Sequence, residues 1–560
     1  MWPAGRVTRF AELDARRLLD WAHSMTATPD TTRARLLALA QAQPEWDLAV
    51  IGGGATGCGV ALDAAARGFS VILLEAEDFA QGTSSRATKL VHGGVRYLAQ
   101  GNVALVREAL HERATLLANA PHLAQPLAFV MPGYRWWERM FYGTGLKMYD
   151  ALAGSRGLGP TEFLSSVQTQ ELLPTVRVRG LCGGVKYWDG QFDDARLAVT
   201  LARTAVAQGA AVLNHCPVTA LVREGGRVRG VVALDAESGA TLQIAAKCVV
   251  NATGVWVDDL RHMDRDEGAA EKPPIVAPSQ GVHLVVDRSF LPGTHALLVP
   301  KTQDGRVLFA VPWLGKTILG TTDTPRDDVV REPAPFAEEV EFILREAGRY
   351  LERAPTRADV RSVWVGLRPL VKPGGDDGDD TKQLSREHTV LVGRSGMVTV
   401  TGGKWTTYRA MAEDVLERCV TAHLLPRRPK GVTASLPLLG ASGAAGVSMT
   451  QAPGEHLYGS EAALLHRLPG AANWLWRCAE TGQGSLSEAM VRFAVRFEMA
   501  RTVEDVLARR CRLLFLDAAE AARQAGAVAT ILADELGAGF DAAASRRSFE
   551  RLAKQYRTLP

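Results

Sequence analysis

Residues Asp47–Gly57, with the sequence D-L-A-V-I-G-G-G-A-T-G, constrain the fold of this chain more than any other stretch. The first five residues predict a short buried strand, and the Ala-rich stretch Ala55–Arg67 predicts a helix directly after it. The glycines of the connecting turn fit the pattern G-x-G-x-x-G, at Gly52, Gly54 and Gly57. Such glycines allow a tight turn, let backbone approach a pyrophosphate, and let the helix pack closely on the strand.

The chain that follows supports the same interpretation. Ser70–Leu74 predicts a second strand, and Glu75 comes where an acidic residue binds ribose hydroxyls. The free N–H groups and the dipole at the start of the intervening helix favour phosphates. The stretch therefore predicts dinucleotide binding, and the alternative is a glycine-rich turn in an α/β protein that binds no nucleotide.

The length and the charge of the chain limit the other classes of function. At 560 residues the chain is too long for one core, so we expect at least two domains. The net charge of +3, from 64 basic and 61 acidic residues, argues against a nucleic-acid partner. The seven cysteines form no C-x-x-C pair, so we expect no metal site, no disulfide framework and a reducing compartment. We also expect no signal peptide and no membrane-spanning segment.

A second motif lies at Gly82–Leu98, with the sequence G-T-S-S-R-A-T-K-L-V-H-G-G-V-R-Y-L. It mixes small hydroxyl residues, cations and glycines without a helical or strand period. Ser84, Ser85 and Thr88 offer hydrogen bonds to phosphate or ribose, and the paired glycines let backbone lie close to a ring. A loop that crosses a bound cofactor fits this mixture, and an ordinary surface loop is the alternative.

This second motif resembles the signature of the FAD-dependent glycerol-3-phosphate dehydrogenases, within the larger class that includes the glycine and D-amino-acid oxidases. Further similar segments follow: N-A-T-G at Asn251–Gly254, G-V-H ending at His283, G-L-R-P at Gly366–Pro369, and T-G-G-K at Thr401–Lys404. The usual proline after N-A-T-G is Val255 here. The resemblance runs from about residue 47 to the C-terminus.

The resemblance implies an α/β fold: a Rossmann-type FAD-binding domain with an inserted antiparallel-sheet substrate domain, plus an all-helical C-terminal domain. We divide the chain into an N-terminal extension (1–46), three parts of the FAD-binding domain (47–135, 181–255 and 361–423), a connecting segment (136–180), a substrate domain (256–360), a linker (424–458) and a helical C-terminal domain (459–560). The extension has no assigned chemistry.

The implied cofactor is FAD. Its expected contacts lie in four segments of the chain. They are Gly52, Gly54, Ala55, Thr56, Gly57 and Glu75; Thr83, Ser84, Ser85, Thr88, Lys89, His92, Gly93 and Gly94; Ala252, Thr253 and Gly254; and Gly402, Gly403, Lys404, Trp405 and Thr406.

The implied substrate is sn-glycerol 3-phosphate, oxidised at C2 to dihydroxyacetone phosphate while a hydride passes to flavin N5. Its phosphate carries about −1.5 to −2 charge at pH 7, whereas one arginine suffices for a carboxylate. Several cations in the similar segments therefore favour a phosphate ester. The expected substrate-binding residues are Arg96, Tyr97, His283, Arg368, Arg386 and Lys404.

Three of these residues are catalytic candidates. His283 is the expected base, because an imidazole titrates near neutral pH. The residues alone favour a strand histidine without a catalytic part, and the resemblance reverses this in favour of the active site. Arg368 is expected to stabilise the developing alkoxide or the ketone oxygen. Lys404 competes for the role of base if neighbouring cations lower its pKa.

The basic, aromatic-rich stretch Tyr134–Tyr149 predicts a helix that lies in a lipid surface. Burial at a domain or subunit contact explains the stretch equally well, and the resemblance favours the membrane. It implies a quinone as electron acceptor, with oxygen as the alternative, and peripheral association with the inner face of the cytoplasmic membrane. We expect a homodimer, although the sequence does not reveal the number of subunits.

Three further functions stay open. The first is an amine oxidase of the glycine oxidase type. The second is a flavin-containing RNA-binding or tRNA-modifying protein, which the low net charge disfavours. The third is a flavin-holding assembly protein without turnover.

Overall fold

The computed structural model of the protein describes residues 28–95, 102–265, 273–303, 305–372, 387–443 and 448–560. Two large sheets organise the described residues. Their helices are Arg33–Ala42, Ala55–Ala66, Val103–Asn119, Trp136–Ala153, Ser166–Leu172, Asp194–Ala207, Val257–Met263, Ala337–Tyr350, Tyr408–Thr421, Ala462–Leu465, Glu488–Glu498, Leu513–Leu516, Ala518–Leu536 and Ala542–Arg557, with a π-helix at Asp505–Arg510.

The first sheet contains the predicted strand–turn–helix unit. Its central strand, Trp46–Ile51, pairs in parallel with a strand on each side, and Leu48, Ala49 and Val50 are fully buried. Strands covered on both faces need this continuous apolar run. The main strand order is His388–Val392, Val398–Gly402, Thr241–Asn251, Trp46–Ile51, Val71–Leu74 and Ala211–Leu213, and the hairpin Val218–Glu224 and Arg227–Leu234 extends from Thr241–Asn251.

The glycine turn after the central strand has no room for side chains. Gly52 has φ +107°, and a Cβ there would lie 2.6 Å from the carbonyl oxygen of Ala252. A Cβ at Gly57 would overlap the carbonyl oxygen of Gly52. The turn, the helix and the neighbouring strand therefore approach each other as closely as backbone permits.

The second sheet is almost entirely antiparallel. Its main strand order is Thr324–Pro325, Val276–Asp287, Lys316–Gly320, Leu308–Trp313, Ala296–Val299, Ala124–Gly133, Gly183–Phe192 and Leu90–Val91. Ser362–Val371 also pairs with Val276–Asp287, and Glu162–Leu164 pairs with Gly183–Phe192. The pair Ala296–Val299 and Ala124–Gly133 is parallel and joins the two halves of the sheet.

This sheet corrects the domain division made from the sequence. The predicted substrate domain, 256–360, supplies only part of it. The strands Ala124–Gly133, Gly183–Phe192 and Ser362–Val371 belong to it as well, although we assigned them to the FAD-binding domain. Their partners lie far away along the chain, and local alternation of apolar residues does not reveal which sheet a strand joins.

The C-terminal region is largely helical, as predicted, but it also contains the hairpin Trp474–Arg477 and Gly484–Ser487. The described parts of the predicted linker, 424–443 and 448–458, are packed onto the fold. Leu436 and Leu438 are buried, and the hydroxyl of Thr433 donates to Asp63 on the first helix of the nucleotide unit at 2.8 Å. The Pro and Gly content of this segment indicated a connection, whereas its leucines fill a core.

The aromatic-rich helix begins at Trp136 and ends at Ala153, because the residues before it complete a strand at Gly133. Its first turn is capped by Glu138, whose carboxylate accepts from the N–H groups of Tyr134 and Arg135. Among the described residues, no helix combines the length and the apolar character required to cross a bilayer.

The close approach at Gly57 yields a prediction about stability. We expect Gly57→Ala to lower the free energy of unfolding by about 1–3 kcal/mol or more, because the new methyl group has to displace backbone. Gly526→Ala is the matched control. Its Cβ would meet its nearest atom only at 4.0 Å, in the helix Ala518–Leu536, and alanine favours a helix by about 1 kcal/mol. Chemical denaturation measures both, and equal stability of the two variants would contradict the packing.

Candidate active site

One side of the candidate site is formed by the glycine turn at the carboxyl end of the strand Trp46–Ile51 in the first sheet. The N–H of Ala55 donates to Ser84 Oγ at 2.9 Å, and the indole N–H of Trp405 donates to the carbonyl of Ser84 at 2.9 Å. Predicted cofactor-binding segments from three parts of the chain therefore meet here. Open N–H groups at a helix start and closely packed glycines form a phosphate cradle.

Glu75 lies where the ribose-binding acid was predicted. Its carboxylate accepts from the N–H of Gly53 at 2.6 Å and from the N–H of Glu77 at 2.9 Å. Burial raises the pKa of Glu75 to about 7, against the opposing effect of the Gly53 N–H. The residue therefore holds the turn in addition to its predicted ribose contact.

The two later segments of the first sheet join the same edge. The hydroxyl of Thr401 donates to the carbonyl of Gly254 at 3.2 Å, which links T-G-G-K to N-A-T-G. Gly402 and Gly403 both have positive φ, +80° and +74°, which glycine adopts without strain. A Cβ at Gly402 would lie 2.7 Å from the carbonyl oxygen of Glu387.

The loop between Gly82 and Gly94 connects the two sheets. Thr83 donates to the carbonyl of Leu367 at 2.5 Å, and the N–H of His92 donates to the hydroxyl of Thr406 at 3.2 Å. Gly93 donates its N–H to the hydroxyl of Tyr149 at 2.8 Å. The loop is thus fastened at several points along the edge, as expected for a segment that crosses a cofactor.

His283 lies on the strand Val276–Asp287, opposite Gly320 on one side and Trp364 on the other. Its Nε2 is 2.9 Å from the hydroxyl of Thr88, and its ring stacks on Trp364 with centroids 5.2 Å apart. The side chain is buried, and Nδ1 has no hydrogen-bond partner among the described residues. A buried imidazole nitrogen of this kind is available to an incoming hydroxyl group.

Electrostatics keep this imidazole neutral. Burial, together with the positive charges of Lys89 and Arg368, lowers the pKa of His283 well below its usual range. His283 is therefore able to accept a proton across the neutral pH range, and it loses that ability only as the pH falls through its lowered pKa.

Arg368 lies close enough to His283 for its positive charge to act on the imidazole, and its catalytic role stays a prediction. Its guanidinium donates to the carbonyl of Thr322 at 3.0 Å and pairs with Asp323 at 3.3 Å. Gly281, two residues before His283, leaves space for it, since a Cβ there would collide with Arg368. Lys404 lies between Gly403 and Trp405, and its Nζ is shielded from solvent. Arg96, Tyr97 and Arg386 lie outside the described residues.

One predicted contact needs correction. The ammonium of Lys89 donates to the carbonyl of Ser85 at 2.6 Å and to Asp194 at 2.7 Å, and its side chain is fully buried. The lysine therefore stabilises the loop from inside the protein and does not offer its charge to a phosphate. The resemblance placed Lys89 among the cofactor contacts, whereas its acidic partner, Asp194, lies 105 residues later in the chain.

Comparisons with known proteins agree with this geometry. A family model described as FAD dependent oxidoreductase matches residues 47–409, and one described as the C-terminal domain of alpha-glycerophosphate oxidase matches residues 431–543. The chain is 41% identical to a probable mitochondrial glycerol-3-phosphate dehydrogenase of Caenorhabditis elegans, across 94% of this chain and 74% of the relative. The chain belongs to the family of FAD-dependent glycerol-3-phosphate dehydrogenases.

Two further relatives support this membership. The mitochondrial glycerol-3-phosphate dehydrogenase of Arabidopsis thaliana is 41% identical, across 89% of this chain and 84% of the relative. A solved structure of the glycerol-3-phosphate dehydrogenase from Bacillus halodurans, complexed with FAD, is 31% identical and superposes with a TM-score of 0.73. The match covers 95% of this chain and 99% of that one. The predicted family, fold class and cofactor are thereby confirmed.

The residues at this edge fit FAD. The glycine turn leaves no room for side chains at Gly52 and Gly57, which lets a diphosphate approach the backbone at the helix start. Gly402 and Gly403 present left-handed backbone at the same edge. The individual cofactor contacts stay predictions, with Lys89 as the exception described above.

The sequence did not reveal the charged contacts of the C-terminal domain. Asp78, after the second strand, pairs with Arg509 and Arg510 of the π-helix, and His215 lies 2.9 Å from Asp505. Burial opposes the charge on His215, but the carboxylate of Asp505 outweighs it and raises the pKa of His215. The fold brings together partners 290 and more residues apart, and no local pattern indicates them.

These two histidines give opposite expectations for titration. At pH 6.5 we expect a neutral imidazole at His283 and a protonated one at His215, because cations face the first and a carboxylate faces the second. Nitrogen NMR of histidine-labelled protein measures both, with His283→Gln and His215→Gln as assignment variants. A protonated His283 at this pH would contradict the proposed electrostatics.

Proposed function

We propose that this protein oxidises sn-glycerol 3-phosphate to dihydroxyacetone phosphate with bound FAD and passes the electrons to a membrane quinone. The main support is the buried imidazole of His283, which contacts Thr88 of the FAD-binding loop and lies within reach of the positive charge of the partly exposed Arg368. A neutral base next to a cation suits removal of the hydroxyl proton while the carbonyl forms. The relatives described above carry the same activity in their names.

FAD, when bound, supplies the acceptor for the hydride that leaves C2. His283 takes the proton of the C2 hydroxyl, and Nδ1 is the atom without a protein partner among the described residues. Arg368 stabilises negative charge on that oxygen as the proton leaves. Lys404 is the alternative base, and its Nζ is shielded from solvent.

The phosphate group is assigned to Arg96, Arg386 and Lys404, with Tyr97 as a further donor. A cation about 4 Å from a phosphate charge contributes on the order of 4 kcal/mol at intermediate dielectric, before desolvation. This assignment rests on the similar segments of the family, because only Lys404 lies among the described residues. Arg386→Ala should therefore weaken binding more than turnover.

The proposed base is tested by His283→Ala. We expect kcat to fall by about 10²–10⁴-fold with a small change in KM, because the general base acts only in the transition state. Anaerobic bleaching of the flavin by glycerol 3-phosphate, followed by stopped flow, measures the chemical step. His466→Gln, an exposed histidine of the C-terminal domain, is the control. Near-normal bleaching in His283→Ala would exclude the assignment and favour Lys404.

The membrane part of the proposal rests on the helix Trp136–Ala153. Its outer face exposes five large apolar side chains: Trp136 (78%), Trp137 (40%), Met140 (54%), Phe141 (68%) and Met148 (56%). Its inner face buries Gly143, Leu146 and Tyr149 against the protein. The helix thus has two apolar faces, which explains why its sequence fitted both a membrane surface and a buried contact. An exposed patch of this kind is typical of a membrane contact.

The same helix supports the quinone assignment. Tyr149 on its inner face accepts from the N–H of Gly93 in the FAD-binding loop and donates to Asp189 at 3.0 Å. Arg113 pairs with the same carboxylate at 2.8 Å. The apolar outer face and the cofactor-binding loop are therefore linked by one helix, so an acceptor dissolved in the bilayer is brought close to the flavin. The homodimer stays a prediction.

The membrane contact is tested by the double variant Trp136→Ser/Phe141→Ser. We expect at least about tenfold weaker binding to liposomes, since two aromatic side chains that insert into the bilayer together supply several kcal/mol of transfer free energy. Turnover with a water-soluble dye should be unchanged, and turnover with a quinone in liposomes should fall. Leu391→Ser/Val432→Ser is the matched control, with exposed fractions of 40% and 53%. Equal liposome binding by all three proteins would contradict the proposed surface.

Oxygen is the alternative acceptor, and the description of the C-terminal family model as part of an oxidase is the observation in its favour. Peroxide release during turnover, measured with and without quinone liposomes, separates the two acceptors. Anaerobic bleaching by amino acids but not by glycerol 3-phosphate would instead indicate an amine oxidase.

A further inference from the structure

A buried charge cluster lies behind the ring of His283. The ammonium of Lys89 and the guanidinium of Arg512 both donate to the carbonyl of Ser85 and both pair with Asp194. Asp193 lies 3.4 Å from Nε of Arg512. The side chains of Lys89, Arg512, Asp193 and Asp194 are all fully buried. Two cations and two anions therefore compensate each other in the interior.

This cluster touches the aromatic side chains that support the base. The ammonium of Lys89 lies 5.2–5.3 Å from the ring centroids of Trp313, Trp364 and Phe515. Trp364 stacks on His283 and also contacts the edge of Phe515, with centroids 5.1 Å apart. A cation held among aromatic rings restricts them as well as itself.

The C-terminal domain contributes half of this arrangement. Arg512 follows the π-helix Asp505–Arg510 and adopts a left-handed conformation, with φ +65°. Phe515 lies one turn later and contacts the guanidinium of Arg512 at 4.2 Å. Lys89 also has positive φ, +66°, in the FAD-binding loop. The backbone of each cation thus has a left-handed conformation, which persists only where surrounding contacts maintain it.

We propose that Lys89 and Arg512 are positioning residues of the oxidation, through which the C-terminal domain holds Trp364 and His283 in place behind the substrate. Arg512 fixes Asp194 and the carbonyl of Ser85, these two hold Lys89, and Lys89 faces the tryptophan on which His283 stacks. The inference rests on the proposed function, since it concerns the base of that reaction. It makes the C-terminal domain a part of the active site.

The cluster also acts on His283 through charge. The groups that face this imidazole among the described residues are the cations Lys89 and Arg368, with the uncharged Thr88 and Trp364. Burial, with help from Arg512 and against Asp194, lowers the pKa of Lys89 to about 7. Below that pH the ammonium is charged, so it opposes protonation of His283 throughout the acid range in which His283 titrates.

The decisive variant is Lys89→Met, which keeps the length of the side chain and removes its charge. We expect the acidic limb of the kcat/KM profile to move to higher pH by about one unit, because a like charge no longer faces His283. We expect kcat to fall by about tenfold or more as the base loses its support, while KM for glycerol 3-phosphate stays within about twofold, since a positioning residue does not bind substrate. Bound flavin should be retained.

A second pair of variants tests the contribution of the C-terminal domain. Arg512→Met should lower kcat in the same way, and Arg512→Lys should restore part of it, because the shorter cation still pairs with Asp194. In the double variant Lys89→Met/His283→Gln the acidic limb of the kcat/KM profile should be absent, because the imidazole that titrates there has been removed. If Lys89→Met does not fold, the Arg512 variants carry the test.

The control is Arg203→Met, which removes an equally buried arginine from its bidentate pair with Glu461, away from His283. It should lower the unfolding temperature and leave the acidic limb in place. If Lys89→Met and Arg512→Met behave like this control, with lower stability and an unchanged limb and kcat, the cluster is structural only and the inference is wrong.

The inference is separable from the proposed function. Nitrogen NMR follows the titration of His283 without any substrate, and Lys89→Met should raise that pKa even if glycerol 3-phosphate fails to bleach the wild-type flavin. Failure of bleaching with a normal NMR shift would reject the substrate alone. An unchanged His283 titration in Lys89→Met would reject the positioning role alone.

Discussion

The site depends on the parallel pairing at the centre of the first sheet. Ile51 pairs with Leu74 on one side and with Asn251 on the other, and Asn251 pairs with Thr399. Because parallel strands end at a common edge, the loops that follow them have to meet there. The glycine turn, N-A-T-G and T-G-G-K are far apart along the chain, yet they occupy one edge for this reason. The predicted cofactor contacts of these three segments depend on it.

Buried charge is the second organising feature. The whole chain is nearly neutral, at +3, but the interior between the FAD-binding loop and the C-terminal domain contains many ion pairs. Breaking one partner of a buried pair costs several kcal/mol, because the other charge stays without compensation. Lys89, Arg512 and Asp194 therefore connect the C-terminal domain to the FAD-binding loop, because these buried charges compensate one another. The same charges face His283, so structural and chemical roles coincide in one cluster.

Features that depend on neighbouring residues could be predicted from the sequence, whereas features that depend on distant partners could not. The strand Trp46–Ile51 and the helix Ala55–Ala66 were predicted within one residue, because turn chemistry and apolar periodicity act over a few positions. His283 and Arg368 were predicted for one active site from family motifs; the charge of Arg368 acts on His283, and their roles stay predictions. Residues 124–133 were assigned to the FAD-binding domain, but they form a strand of the second sheet, because the partner strands begin at residues 183 and 296. The helix Trp136–Ala153 was ambiguous because both of its faces are apolar, and only its packing shows which one is exposed.

The sequence by itself therefore determined the nucleotide unit, the cofactor class, the family and the identity of the candidate base. Glycine spacing and apolar periodicity express the nucleotide unit directly, since both depend on residues close together in the chain. The family, the cofactor and the candidate base came from the resemblance of short motifs to the FAD-dependent glycerol-3-phosphate dehydrogenases. Tertiary structure alone decided that the ammonium of Lys89 turns inward and that Arg512 meets it more than 400 residues later. It also decided that Tyr149 joins the outer helix to the FAD-binding loop. A buried charge or hydroxyl forms its hydrogen bond with the group that packing brings within about 3 Å. The packing of distant elements cannot be predicted from a local sequence pattern.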